Sequence, residues 1–343
     1  LEHKRRQHYS GKYPKRFEEK YKERNPEKYR DTIAHVIAKG NTPAGMHIPI
    51  CVDEILEFLN IRPGQTGLDC TLGYGGHSLE LLKKLGENGH LYGLDVDPIE
   101  SVRTRDRLAA AGFGPDRFTL IQTNFANIDQ VAASHGPFDF ILADLGVSSM
   151  QIDNPARGFS YKADGPLDLR LNPEAGQPAA RRLQEMDEAE ISGMLTENAD
   201  EPCADQIARA IVRARRSGHQ IRTTTDLRRI IADALSFLPK QEQKEALKKS
   251  CARTFQALRI DVNREYEVLY ELLRKLPEAL APGGRAAILT FHSGEDRLVK
   301  HVFREQKKQG LYTEVFKEVI RPSAEECRRN PRAHSAKLRR AIR

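Results

Sequence analysis

The run Leu68-Asp69-Cys70-Thr71-Leu72-Gly73-Tyr74-Gly75-Gly76-His77-Ser78 joins an apolar stretch to a glycine-rich turn and then to helix-forming residues. Glycines in such a turn let the backbone approach a bound group closely, and the helix that follows offers N–H donors at its start. A dinucleotide fingerprint would need glycine where Ser78 stands, which disfavours a nicotinamide cofactor. Nineteen residues beyond Gly76, in Gly93-Leu94-Asp95-Val96-Asp97, the carboxylate of Asp95 can accept both ribose hydroxyls of an adenosine moiety. Helix capping is the other reading of Asp95, although Asp97 suits that role better.

Two further strand ends carry candidates. Gln122-Thr123-Asn124-Phe125-Ala126 offers Phe125 either to an adenine ring or to the core. Asp144-Leu145-Gly146-Val147-Ser148-Ser149 brings Asp144 to the carboxyl edge of a sheet, where ligands of open α/β folds bind. Moving a methyl group from a sulfonium requires mainly that donor and acceptor be aligned. An exocyclic base amine is a poor nucleophile, so a carboxylate accepting its N–H bonds and then its proton would help. Asp144 is the candidate for that work, with a turn cap as its alternative. His292, Ser293, Glu295 and Asp296 cluster after another strand; the spacing favours a substrate contact or a helix opening over a metal.

These residues need a sheet to present them. Short apolar runs bounded by turn residues predict strands near 66–72, 91–95, 118–123, 138–144 and 285–291, with helices near 46–60 and 77–85. The alternation stops at about Asp153. A Pro/Gly-containing loop over 154–176 leads to helices over 187–198, 204–217 and 225–237, and a long helix over 254–280 precedes the last strands. The fold class expected is α/β: a mostly parallel, Rossmann-like sheet with an inserted helical domain. The expected division is a basic arm over 1–42, a catalytic domain over 43–152 and 248–343, and a helical insertion over 153–247.

The 343 residues carry a net charge of +7, concentrated at the two ends. Residues 1–40 hold 12 Lys/Arg against 6 Asp/Glu, and residues 321–343 hold 8 against 2, leaving the middle acidic overall. Basic ends suit a polyanion such as nucleic acid, or simply stay solvated. Arg209, Arg213 and Arg216 would form a basic face on one inserted helix, opposite Ile207 and Ile211. The five cysteines are scattered, without metal-ligand spacing, and read as reduced. With no apolar run near the length of about 18 residues that spans a bilayer, and no apolar leader, a cytoplasmic protein without membrane partners is expected.

Taken together the motifs resemble the RsmH (MraW) family of methyltransferases. The resemblance is carried by His47-Ile48-Pro49, by Thr71 to Ser78, by Asp144 to Asp153, by Arg157-Gly158-Phe159-Ser160 and by Asp164 to Arg170. It continues through Arg253 to Ile260, Phe291-His292-Ser293, Asn330-Pro331-Arg332 and Ser335 to Arg339. It implies the class I fold, S-adenosyl-L-methionine as cofactor, and methylation of a cytosine N4 amine in 16S ribosomal RNA (nucleotide 1402, in the decoding region). The small ribosomal subunit is the implied partner, and a homodimer is a further expectation. Donor contacts are implied for Gly75, Gly76, His77, Asp95, Phe125, Asp144 and Gln151, the last not visible from spacing. Ser148, Ser149, Arg157, Phe159, Asp168, Arg170, His292 and Ser293 are the substrate-side candidates, and the insertion is implied to help recognise RNA. No metal is expected.

Three departures stand out: Gly294 where leucine is usual, Ser250-Cys251 where His-Pro is common, and a longer basic N-terminus. Two rival readings are a DNA amine methyltransferase, whose Pro-Pro-aromatic signature is missing after Asp144, and an RNA-binding assembly factor that keeps the fold without the activity.

Overall fold

The computed structural model describes residues 49–343. The expected basic arm, together with Met46, His47 and Ile48, lies outside them. Seven strands form one sheet: β1 (Thr66–Asp69), β2 (His90–Asp95), β3 (Phe118–Gln122), β4 (Phe138–Asp144), β5 (Leu280–Thr290), β6 (Glu314–Val315) and β7 (Lys337–Ile342). Their order is β3-β2-β1-β4-β5-β7-β6. Pairings from β3 through β5 are parallel, and β7 runs antiparallel to both β5 and β6.

Alternate residues of the central strands feed two separate cores. Leu68, Ile141, Ala143, Ala286 and Ile288 point to one face, while Phe140, Leu142, Ala287 and Leu289 point to the other. A strand apolar on both faces needs helices on both, which is why the sequence reads as short unbroken apolar runs. Helices α1 (Val52–Leu59), α2 (Gly76–Leu85) and α3 (Pro98–Ala110) cover the second face. The first is covered by α4 (Ile128–His135) and by two helices that lie later in the chain.

After β4 the chain leaves the sheet through the short helix α5 (Ser149–Asp153) and a loop. It then builds α6 (Ala179–Glu185), α7 (Glu188–Ala199), α8 (Ala204–Arg216) and α9 (Thr224–Ala234). These pack around a third core that includes Phe159, Leu167, Leu183, Ile191, Ile207, Ile211 and Leu227. That core reaches Cys251, Phe255 and Leu258 on α10 (Lys240–Asn263), so one helix links it to the return toward the sheet.

Where one helix is expected over 254–280 there are two: α10 ends at Asn263 and α11 (Glu265–Ala279) begins after Arg264, whose φ is 50°. No glycine or proline announces this break; the left-handed turn lets the Arg264 N–H bond the Asp261 carbonyl. Among the described residues the helix expected over 46–60 runs Val52–Leu59, and the start of that range lies outside them. Helix α12 (Ser293–Lys308) and the short α13 (Ala324–Arg329) complete the chain before β7. Among the described residues no helix is long and apolar enough to cross a membrane.

Candidate active site and donor cradle

Strand order reverses between β1 and β4, and at such a switch point the loops leaving the carboxyl ends diverge to leave a crevice. The glycine turn follows β1, Asp95 ends β2, and Asp144 ends β4. The structure thus brings Gly75, Gly76, His77, Asp95 and Asp144 to one edge.

The turn is fixed from below. Asp69, almost fully buried, accepts bonds from the Thr71 N–H (3.0 Å) and from Ser78 Oγ (2.6 Å). The serine that spoils a dinucleotide fingerprint is therefore a strut joining the start of α2 to the end of β1. Gly75 sits at φ 81°, and a Cβ there would lie 2.6 Å from the Thr104 methyl. Thr104 Oγ1 donates to the Gly73 carbonyl (2.5 Å), which packs the turn against α3.

Asp95 accepts from the Gly73 N–H at one oxygen and from the Asp97 N–H at the other, each 2.8 Å. A carboxylate has about four acceptor positions, so room remains for two ribose hydroxyls. Burial pushes the Asp95 carboxyl up to about 6, against the pull of those two N–H groups. Asp97 opens α3 by accepting from Ile99 and Glu100 N–H groups, as its spacing suggested. Its other oxygen accepts from Gln151 Nε2 (3.1 Å) and Arg157 Nη1 (2.7 Å), a link the sequence gave no sign of. Burial alone would raise the Asp97 pKa, but Arg157 holds it below the ordinary value.

Asp144 is set by Thr71, whose Oγ1 accepts the Asp144 N–H at 2.6 Å. One carboxylate oxygen stands 3.4 Å from His77 Nε2; the other, and the ring nitrogen itself, are buried and, among the described residues, have no hydrogen-bond partner. Burial disfavours the charged imidazole, yet Asp144 and then Asp69 outweigh it, and the His77 pKa is raised. Orphaned buried polar atoms beside a glycine turn are what the polar part of a bound donor would complete. Together with the spare acceptor positions of Asp95, they fit S-adenosylmethionine.

The remaining candidates fall into different settings. Phe125 opens a 3-10 turn after β3 and packs, partly buried, against the core. Ser148 caps α5 in a reciprocal pair with Gln151. Both polar atoms of Gln151 therefore have partners in the chain. The Ser149 side chain lies outside the described residues. Arg157 is engaged with Asp97 and with the carbonyls of Arg170 and Leu171. Phe159 is buried in the core of the insertion. Asp168 and Arg170 pair with each other at 2.7 and 2.8 Å and are partly exposed.

His292 caps α12, its ring beside the buried Glu295 at 3.1 Å, and Ser293 is exposed next to it. Potential ligand atoms of Glu265, His292 and Glu295 lie within 4.8 Å of one another. The carboxylates are already engaged: Arg259 holds Glu265 at both oxygens (2.8 Å), and the Phe291 N–H holds Glu295. Asp296 pairs with Lys337 and Arg339 of β7, each at 2.8 Å, so it fastens the reversed strand β7. The departure at Gly294 has a steric cause here, because a Cβ would stand 2.0 Å from the Tyr266 hydroxyl.

A reversed β7 inserted between β5 and β6 of an otherwise parallel sheet, with a glycine turn after β1 and carboxylates ending β2 and β4, defines a class. The chain is an S-adenosylmethionine-dependent methyltransferase of the class I Rossmann-like fold. Residues 44–343 match the MraW methylase family, and the chain belongs to it. It is 65% identical to ribosomal RNA small subunit methyltransferase H 1 of Lachnoclostridium phytofermentans, covering 99% of this chain and 93% of that one. Identity to the protein of the same name from Agathobacter rectalis is 64%, covering 100% and 98%. Ribosomal RNA small subunit methyltransferase H of Koribacter versatilis is 42% identical, over 87% and 94%. The Agathobacter alignment spans 342 residues, so the N-terminal residues beyond the family match are shared with that relative.

Proposed function

We propose that this enzyme methylates the exocyclic N4 amine of a cytosine in small-subunit ribosomal RNA, the decoding-region position, acting in the cytoplasm on the subunit. The observation that carries the reading is Asp144, held at the end of β4 with a buried, unpartnered carboxylate oxygen beside the donor cradle. The names of the relatives support the substrate class.

The bound donor supplies an activated methyl group. Gly75, Gly76 and His77 line its cradle, Asp95 takes the ribose hydroxyls, and Gln151 and Phe125 flank it. Asp144 accepts an N–H of the incoming amine, which returns electron density to a nitrogen whose lone pair is otherwise delocalised into the base. As the N–C bond forms and the methyl–sulfur bond breaks, leaving S-adenosylhomocysteine, the nitrogen gains positive charge and the same oxygen is positioned to take its proton. His77, near the other oxygen, holds the carboxylate in orientation. The loops carrying Ser148, Ser149, Arg157, Phe159, Asp168 and Arg170 and the turn at His292 and Ser293 form the walls on the base side.

RNA beyond the target base has a surface to follow. Arg209, Arg213 and Arg216 are exposed on α8, and a groove of about 600 Å³ between α8 and α9 is lined by Arg209, Arg213, Arg229 and the exposed Phe237. Guanidinium groups meet phosphates and an exposed ring can stack on an unpaired base.

The test is transfer of labelled methyl from S-adenosylmethionine to small subunits lacking the modification, with nucleosides identified by mass spectrometry. N4-methylcytidine is expected. Donor binding with no methylated nucleoside would favour the assembly-factor reading.

A further inference from the structure

The loop between α5 and α6 is a folded strap rather than an open excursion. A Cβ at Gly158 would lie 2.1 Å from the Pro166 carbonyl oxygen, and one at Gly165 would lie 2.0 Å from that of Pro155. The two limbs thus meet backbone to backbone at both glycines. Leu169, buried, is held at φ 62°, a region costly for a side-chain-bearing residue and kept only where the surroundings over-determine it. Its N–H bonds the Arg157 carbonyl (3.2 Å), and Asn263 of α10 holds the Leu169 carbonyl and the Leu171 N–H, both at 2.8 Å.

One side chain joins this strap to the donor cradle. Arg157 Nη2 donates to the carbonyls of Arg170 (3.0 Å) and Leu171 (2.7 Å), and Nη1 donates to Asp97 Oδ2 (2.7 Å). Asp97 is 1% exposed, and its own N–H is one of the two that fix Asp95. A continuous set of short polar contacts therefore runs from the ribose-binding carboxylate through Asp97 and Arg157 to the far limb of the strap.

We infer that Asp97 and Arg157 are positioning residues that make the order of the strap depend on donor occupancy. Donor hydroxyls on Asp95 restrain the turn at Val96-Asp97, that turn restrains Arg157, and Arg157 restrains the strap that walls the base side. Linkage is reciprocal, so a base or RNA segment that orders the strap tightens the donor. This rests on the reading above in taking Asp95 as the acceptor of the donor's ribose hydroxyls and in assigning the strap to the base side.

Hydrogen–deuterium exchange on the full chain, with and without S-adenosylhomocysteine, tests it. A ligand at about 100 times its Kd slows openings that release it by roughly 100-fold. We expect at least about tenfold slower exchange in peptides covering residues 157–171, including the Leu169 and Leu171 amides, with no change over α8. In Arg157→Gln the donor should still protect the glycine turn but no longer the strap. Unchanged strap exchange in the wild type overturns the inference without any variant, and so does full strap protection in Arg157→Gln. The readout uses no RNA. A missing donor effect therefore removes the link and leaves the proposed reaction standing, whereas failure to methylate small subunits removes the reaction and leaves the link.

Discussion

Acidifying the solution tests the role of Asp95 directly. Burial lifts its pKa from 3.8 to about 6, so the empty cradle holds a half-protonated carboxyl near pH 6. Two ribose hydroxyls need acceptors, and protonation removes acceptor capacity and charge together. If only the ionised form binds well, the competent fraction is about one-half at pH 6 and about one-tenth at pH 5. Donor affinity should then fall roughly tenfold between pH 7.5 and pH 5, about 1.4 kcal/mol. The sign for stability runs the other way. A carboxyl whose folded pKa is raised adds stability below about pH 4 that is lost as the pH climbs through about 6, amounting to about 3 kcal/mol. Calorimetric titration with S-adenosylhomocysteine from pH 5 to 8, on the wild type and Asp95→Asn, measures the effect. His77 contributes to both proteins, so the ratio of their Kd values isolates Asp95. That ratio should narrow toward pH 5; a ratio constant across the range would refute the assignment.

Asp144→Ala should lower kcat by about 10²- to 10⁴-fold in the RNA methylation assay while the fold, read by circular dichroism, is kept. In Asp144→Asn the His77 imidazole loses its main opponent of burial, so its pKa, followed by NMR, should drop below the wild-type value. Gly165→Ala forces a Cβ against the Pro155 carbonyl and should destabilise the protein by about 1–3 kcal/mol, visible as a lower Tm. Deleting residues 1–42, with their excess of Lys and Arg, should flatten the salt dependence of RNA affinity, by roughly 0.7 to 0.9 in the log–log slope for each phosphate the arm had neutralised.

What could be read beforehand followed from local physics. The strands from β1 to β5 announce themselves because burial on both faces leaves apolar runs, and the glycine turn because few other residues tolerate its backbone. Strand β7 stays hidden, since Lys337, Arg339 and Arg340 make it look like a solvated tail. Only the fold shows that Asp296 neutralises two of those charges and that Arg340 lies 4.5 Å over the Phe316 ring. The break at Arg264 carries no breaker residue. The Asp97–Arg157 pair spans 60 positions, and nothing local in either residue names the other. Gln151 came only from family resemblance, and its two bonds explain why spacing could not find it.

Hydrogen-bond accounting separates the acidic residues at this edge by task. Asp69 gives one oxygen to Thr71 and the other to Ser78, and Asp97 commits its acceptors to two N–H groups, an amide and a guanidinium. Asp97 has no acceptor position left and Asp69, 1% exposed, is out of a ligand's reach, so both are framework, and their burial is tolerable because it is compensated. Asp95 accepts one bond at each oxygen and keeps a position open on each, the stoichiometry of a vicinal diol. Asp144 is the least satisfied: its N–H is anchored, and among the described residues its carboxylate meets His77 alone, at 3.4 Å, with one buried oxygen unpartnered. A folded chain keeps an unpaired buried acceptor at a cost of about 1–3 kcal/mol, and that cost is recovered only when something with an N–H or O–H arrives. On the proposed reading, the residue with the most unused capacity is the one that meets the reacting amine.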